Sequence, residues 1–384
     1  MPQKVTIRDI ARLAGVSSGT VHRALYGKKG VGEPVRQKVL AIARQQGFTL
    51  NTAASALKRG PLRVAACFPA PEGEGRYFYT DVWRGLREYF AEESALNLTL
   101  LEYPFAEGGQ AAALAAALGE GAPLNSPPAF AGAAPDPAAQ SAAPPAQPAA
   151  PAGTPPQRPD GLLTLGLAST DPAPKAALER CAALGLPVVL ACDDAPGCPR
   201  FACVQANYDT IGRLGAELLS AQLAPGSEVL LLSGEEAIPS HGGVARGFMA
   251  YLAEHGSPLR VLDLPGYRDP ALPGRLRQVL AQTPPAGALS VNSRGSVLLA
   301  GAVRQAGLAG RVRLVGSDVF PENIAAMRAG VMHNILYKNP RQQAYQAARL
   351  LVQRLLHPDL PPPAAPETEV EAQVLFCSGL YRYG

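Results

Sequence analysis

From Leu62 onward the chain repeats one unit, a short apolar run followed by a stretch whose apolar residues recur at helical spacing. The runs 64–68, 98–101, 161–167 and 188–191 alternate with helical patterns at 82–90, 111–118 and 176–184. The second half repeats the scheme, with strand-like runs at 229–232, 259–262, 288–291 and 312–316, and again around Ile335. Helical patterns lie between and around them at 211–219, 244–252, 276–280, 297–306, 324–327 and 341–355. Parallel strands cannot be joined by tight turns and need a crossover helix, so this alternation predicts a doubly wound parallel α/β body. Its length suits two such lobes with a cleft between them. With 384 residues and 47% hydrophobic content the chain can bury real cores, and no run approaches the ~18–20 apolar residues of a membrane span.

Residues 119–159 break the pattern. Twelve Pro, thirteen Ala and three charged residues (Glu120, Asp136, Arg158) leave neither helical periodicity nor bulky apolar surface to bury, so this stretch reads as a disordered insertion at a surface junction. Loop-closure entropy grows slowly with length, and the insertion is expected to be dispensable for binding.

Ahead of the body lies a different composition. Residues 1–60 hold eleven Lys and Arg against two acids, Asp9 and Glu33, a net of +9; the whole chain is +4, so the remainder carries −5. Thr6 with Asp9 makes a capping box, Ile7, Ile10, Ala11 and Ala14 follow at helical spacing, and Gly15 supplies a left-handed stop. Ser17 caps a second helix whose Val21, Ala24 and Leu25 face inward, leaving Gly19, His22 and Arg23 outward. A third helix starts near Pro34, repeats Val35, Val39 and Ile42 on one face, and stops at Gly47. Two helices joined by a tight turn with a third behind them make a helix-turn-helix, and its basic charge suits a phosphate backbone.

The stretch TIRDIARLAGVSSGTVHRAL carries the pattern T-x-x-D-(I/V)-A-x-x-A-G-V-S-x-x-T-V-x-R-(V/A)-L nearly throughout. Residues 5–58 thereby resemble the head-piece of the lactose repressor/galactose repressor (LacI/GalR) family. The resemblance implies that Ser17 and Thr20 hold the phosphate backbone, that Ser18, Gly19 and Arg23 address base edges, and that 51–58 form a hinge. Arg23 can fork onto guanine O6 and N7, a contact discriminating by ~1–3 kcal/mol. Gly19 departs from the usual side-chain reader, so His22 or Ser18 takes a larger share. In the hinge Asn51 is a good N-cap, and seven following residues are too few for a stable free helix. The Leu at this place in the family wedges into the minor groove, which assigns Leu57 that role, with small residues such as Ala54 letting two hinges approach. The expected DNA-facing set is Thr6, Ser17, Ser18, Gly19, Thr20, His22, Arg23, Asn51, Ala54 and Leu57.

In open α/β sheets ligands bind beyond the carboxyl ends of the strands. The polar residues there are Asp193, Asp194, Ser240, His241, Asn292 and Asp318. Because VNS and VGSDV follow strands as the family's V-x-N-(D/S) and (V/I)-G-x-D do, the resemblance puts Asp194, His241, Asn292 and Asp318 in the cleft. Phe78, Tyr79 and Trp83, after the first strand, offer faces on which an apolar sugar surface can stack. Two departures stand out: Val244 occupies a place where many relatives carry Arg, and Lys338 a place where a neutral polar residue is common. A lone Lys338 would suit an acidic or phosphorylated ligand.

The resulting expectation is an all-α helix-turn-helix head (1–50), a hinge and linker (51–61), and a periplasmic-binding-protein-like α/β body of two doubly wound lobes (62–384). Its function would be transcriptional regulation, in the sense of a repressor, by a homodimer on a palindromic DNA operator, controlled by a carbohydrate-like effector in the cleft. No cofactor, metal or membrane partner is expected: the cysteines at 192, 198 and 203 match no zinc spacing. No charged-then-apolar leader opens the chain, which fits the cytoplasm. The alternatives are a transport-type sugar-binding protein, which would need an export signal, and an α/β enzyme, for which the body from Leu62 onward carries no G-x-S-x-G, Walker loop or H-E-x-x-H.

Overall fold

The computed structural model describes residues 6–25, 30–46, 59–120, 158–166, 173–266, 268–364 and 368–383. The hinge residues Asn51, Ala54 and Leu57 and residues 121–157 of the Pro/Ala-rich stretch lie outside them.

In the head, Thr6 Oγ1 accepts from the Asp9 amide at 3.3 Å while the Asp9 carboxylate accepts from the Thr6 amide at 3.0 Å, the reciprocal pair that starts α1 (Ile7–Ala14). Gly15 ends it at φ 68°, a conformation that costs an L side chain about 1 kcal/mol or more. Helices α2 (Ser18–Leu25) and α3 (Glu33–Gln45) close over α1 around Ile10, Ala11, Ala14, Val21, Ala24, Val39 and Ala43.

The body holds two sheets. Strands β1 (Leu62–Cys67), β2 (Leu98–Glu102), β3 (Gly161–Thr164), β4 (Val188–Ala191) and β5 (Ala202–Ala206) form the first, with helices α4 (Tyr79–Glu92), α5 (Gln110–Ala117) and α6 (Ala173–Ala183) in the crossovers. The chain then passes to the second lobe through α7 (Tyr208–Gln222) and repeats the winding. There β6 (Glu228–Gly234), β7 (Arg260–Pro265), β8 (Gly287–Ser290), β9 (Arg313–Ser317) and β10 (Asn334–Tyr337) alternate with α8 (Pro239–Glu254), α9 (Leu272–Gln282), α10 (Ser293–Gln305) and α11 (Pro321–Arg328). Helix α12 (Pro340–Leu356) returns to the first lobe, where Ala344, Ala347, Ala348 and Leu351 share a core with Trp83 and Leu86. Last come β11 (Glu369–Val370), parallel to β5, and β12 (Gln373–Phe376), antiparallel to β10.

The strand orders are β11-β5-β4-β3-β1-β2 and β12-β10-β9-β8-β6-β7, so the lobes share one winding and the chain crosses between them three times. Near-continuous burial along β3, β4, β8 and β10 is what a parallel sheet covered on both faces demands. Strand β5, with Ala202, Val204 and Ala206 inward but Cys203 and Gln205 between, is too weakly apolar to stand out in the sequence. The two-residue β11 carries no periodic signal at all.

Candidate functional site

The outward face of the head is built on α2. Ser17 Oγ accepts from the Thr20 amide at 3.1 Å and lies 2.9 Å from Thr20 Oγ1, so the two hydroxyls sit together at the helix start. Ser18, Gly19 and Arg23 are exposed and His22 is half-buried, because Val21 and Ala24 take the inner face. A Cβ at Gly19 would meet Ser17 Oγ at an ordinary 3.7 Å, so packing does not require glycine there. Thr6 is committed to its cap.

Between the lobes lies a cavity of about 710 Å³ at the carboxyl ends of both sheets. Phe78 and Tyr79 line it, in edge-to-face contact at 5.3 Å, together with Phe105. Trp83 does not: its indole is fully buried, donates Nε1–H to the Pro69 carbonyl at 2.9 Å and packs edge-on to Phe68, because it falls on the core face of α4.

The fourth strand of each lobe delivers one aspartate. Asp193 follows β4 after Cys192 at φ 74°, and Asp318 follows β9 with its own φ at 66°. Asp193 accepts from the Ser240 amide of the opposite lobe at 2.9 Å, and burial pushes its carboxyl pKa above the usual range. Asp194, expected in the cleft, turns away. Arg200, six residues on, holds it at 2.6 Å, and it also accepts from the Ala195 amide at 2.8 Å. Asp193 is therefore the cleft residue of the pair.

Lys338 lines the cleft but is no lone cation. Its Nζ lies 3.0 Å from Asp318 Oδ2, with side chains 4% and 2% exposed, and it also donates to Ser317 Oγ. Asp318 further accepts from Ser293 Oγ at 2.8 Å. The charge that would have suited an acidic ligand is thus neutralised within the protein.

Asn292 spends its Oδ1 on the amide of Gly295, capping α10 at 2.8 Å; its buried Nδ2 makes no hydrogen bond among the described residues. His241 Nδ1 accepts from the Glu235 amide at 3.2 Å, which assigns the ring proton to Nε2. Burial, reinforced by Lys338 and Arg268, drives its pKa down to about 3, so the ring is neutral. A donor amide, a neutral imidazole, a carboxylate and aromatic edges make a set that can satisfy hydroxyl groups, each of which both donates and accepts.

Sequence reading missed Gln110, Phe105, Arg268 and Arg294, all lining the cavity. Arg294 had a signal, since it directly follows the helix-capping Asn292-Ser293; Arg268 sits in a loop after β7 with none. Both arginines are spoken for, Arg268 by Glu107 at 2.9 Å and Arg294 by Glu74 at 3.0 Å, each across the cleft.

Residues 157–357 match the family described as "Periplasmic binding protein domain", and residues 6–51 match "Bacterial regulatory proteins, lacI family". The HTH-type transcriptional regulator TreR of Salmonella typhimurium is 41% identical over 66 residues, 17% of this chain and 21% of that protein; the chain spans about a fifth of the length of such relatives. Among solved structures, a sugar ABC-transport periplasmic component from Hahella chejuensis superposes with TM-score 0.62 at 20% identity over 82% of this chain and 99% of that one. A putative LacI transcriptional regulator from Bacteroides fragilis does so with TM-score 0.63 at 16% identity over 84% and 100%. These structures share the fold of the body.

Proposed function

The chain belongs to the periplasmic binding protein domain family and bears a lacI-family head, and from that premise we propose that it is a sequence-specific DNA-binding regulator, in the sense of a repressor, controlled by a small molecule in the cleft. The observation that carries this reading is the joining, in one chain, of a capped helix-turn-helix of net charge +9 over residues 1–60 to a lobed cavity furnished with paired aspartates, Asn292, His241 and aromatic edges. Arg23 and Ser18 are the base-reading residues, Ser17 and Thr20 the phosphate contacts, and Asn51 to Lys58 the hinge. A palindromic operator engaged by a homodimer follows from the weakness of a single half-site contact. Such a regulator works in the cytoplasm.

The ligand of this reading is an uncharged polyhydroxylated molecule, a sugar or polyol. Lys338 is consumed by Asp318, and Arg268 and Arg294 are paired with glutamates, so an anionic group would have to displace carboxylates to gain a partner. Its binding would shift the population between lobe arrangements and so alter the spacing of two hinges.

A thermal-shift screen against neutral sugars, polyols and sugar acids, followed by selection of genomic DNA fragments with and without each hit, tests the whole reading. A neutral sugar or polyol that raises Tm and changes operator affinity is the expected result. No preference for any genomic sequence over scrambled duplex, with or without the compounds, would refute it.

A further inference from the structure

We propose that the segment between β1 and α4, residues 69–78, is a strap that gates the cleft, latched to the opposite lobe by two ion pairs beside a single aromatic contact. From the function proposed above this takes only that the cavity admits a small molecule; the strap itself can be tested without one.

The strap folds on itself before it crosses. Gly73 has φ 52°, and a Cβ on Gly75 would stand 2.2 Å from the Ala70 carbonyl oxygen, so the tight path needs glycine at both places. A single 3-10 stretch, Gly73–Tyr77, follows, and Arg76 donates back to the Gly73 carbonyl at 2.6 Å. The loop is therefore preformed as a unit, yet no residue of that stretch is buried.

The strap's first two residues are tied to the first lobe, the Pro69 carbonyl accepting from Trp83 Nε1 at 2.9 Å and the Ala70 amide donating to the Phe105 carbonyl at 2.8 Å, whereas the ion pairs and the ring contact that residues 74–77 make beyond the segment reach the second lobe. Arg76 reaches Glu322 on α11 at 2.6 Å, Glu74 meets Arg294 on α10 at 3.0 Å, and the Tyr77 ring rests on Phe320 with centroids 4.8 Å apart. Glu72, Gly73, Glu74 and Gly75 form one wall of the cavity, so releasing these contacts opens that wall. Arg268 and Glu107 make the corresponding bridge on the other rim.

The pairs are half open to solvent, with side chains 47% and 38% exposed for Arg76 and Glu322 and 32% and 59% for Arg294 and Glu74. Salt screens such pairs, the Debye length falling from about 10 Å at 0.1 M to about 3 Å at 1 M. A wall with few buried contacts and salt-sensitive anchors belongs to the low-stability end of the molecule and opens without unfolding either core.

The test places a reporter on the cavity side by Ser240→Cys and follows its alkylation by N-ethylmaleimide, read peptide by peptide by mass spectrometry in the full-length protein. Cys377, exposed and distant in sequence from both lobes' cleft residues, is the internal reference. At 0.1 M NaCl, adding Glu74→Gln with Arg76→Gln should raise the alkylation rate at position 240 by roughly three- to tenfold, while Cys377 is unchanged. Raising NaCl to 1 M should accelerate position 240 comparably when the strap is intact and little further when its charges are removed. The exchange Arg76→Glu with Glu322→Arg should restore slow labelling. Rates at position 240 that ignore both salt and strap charge, relative to Cys377, would overturn the proposal. The salt arm needs only the Ser240→Cys protein, and a rate at position 240 that does not respond to salt refutes the latch even if a strap variant fails to fold.

Discussion

Lys338→Met is the most informative single change in the body. The Asp318 carboxylate has four donors: Lys338 Nζ at 3.0 Å, Ser293 Oγ at 2.8 Å, Ser317 Oγ at 3.3 Å and the Lys338 amide at 3.3 Å. Methionine fills the volume of the lysine stem but takes away the only positive charge among these donors, leaving a buried anion with neutral partners. Breaking a buried pair from one side costs about 3–5 kcal/mol, and because three donors survive, about 3 kcal/mol is expected. At roughly 2–4 °C per kcal/mol this lowers the Tm of the body by roughly 6–12 °C. Adding Asp318→Asn to Lys338→Met removes the stranded charge, keeps a carbonyl oxygen for the Lys338-position amide, and suits the left-handed backbone at φ 66°, since Asn tolerates that region. The double variant should therefore recover about 2 kcal/mol. Urea unfolding followed by circular dichroism, arranged as a double-mutant cycle, reads the coupling directly. A Lys338→Met variant within about 1 kcal/mol of the parent, or a double variant no better than the single, would show that the anion is stabilised by something other than this ammonium.

Gly247→Ala should destabilise the second lobe by about 1–3 kcal/mol in the same assay, because the new methyl would sit 2.1 Å from the Asp209 carbonyl oxygen and force α8 off α7. His241 gives a pH signature: the unfolded ring takes up a proton as pH falls through about 6.5, while the folded ring does not until about 3. Stability from this group is complete above about 6.5 and lost on acidification, by about 2 kcal/mol at pH 5, and His241→Gln should flatten that slope. Asp193, held up by burial, works in the opposite sense but is present in both proteins, so their difference isolates the histidine. Arg23→Ala should leave the head folded, since the side chain is exposed, yet lower discrimination between operator and random duplex by about 1–3 kcal/mol in fluorescence anisotropy; equal losses on both DNAs would contradict base reading.

The head was legible almost residue by residue because its signals are local: the Thr6–Asp9 cap, the Gly15 stop and the Ser17 cap each involve positions at most five apart. The lobes were legible as architecture because buried parallel strands are compositionally loud, whereas β5 and β11 are short or half-polar and made no mark. In the cleft, Asn292 and Asp318 were found through the strand ends that carry them. Asp194 was assigned to the cleft where Asp193 lines it, since the choice is made by a backbone turn at Cys192 and by Arg200 capturing the Asp194 carboxylate. Trp83 was misplaced by a helix face, and the cross-lobe pairs Arg268–Glu107 and Arg294–Glu74 were invisible because they join residues more than a hundred positions apart.

The interleaved path of the chain governs the order in which it can be born. Helix α12 and strand β11 complete the first lobe, so that lobe stays unfinished until residue 370 has left the ribosome, while the head, drawn only from residues up to 46 in its described core, is ready far earlier. A transplant of the head onto another body needs one splice, but an exchange of single lobes needs three, and truncation from the carboxyl end strips an edge from both sheets at once.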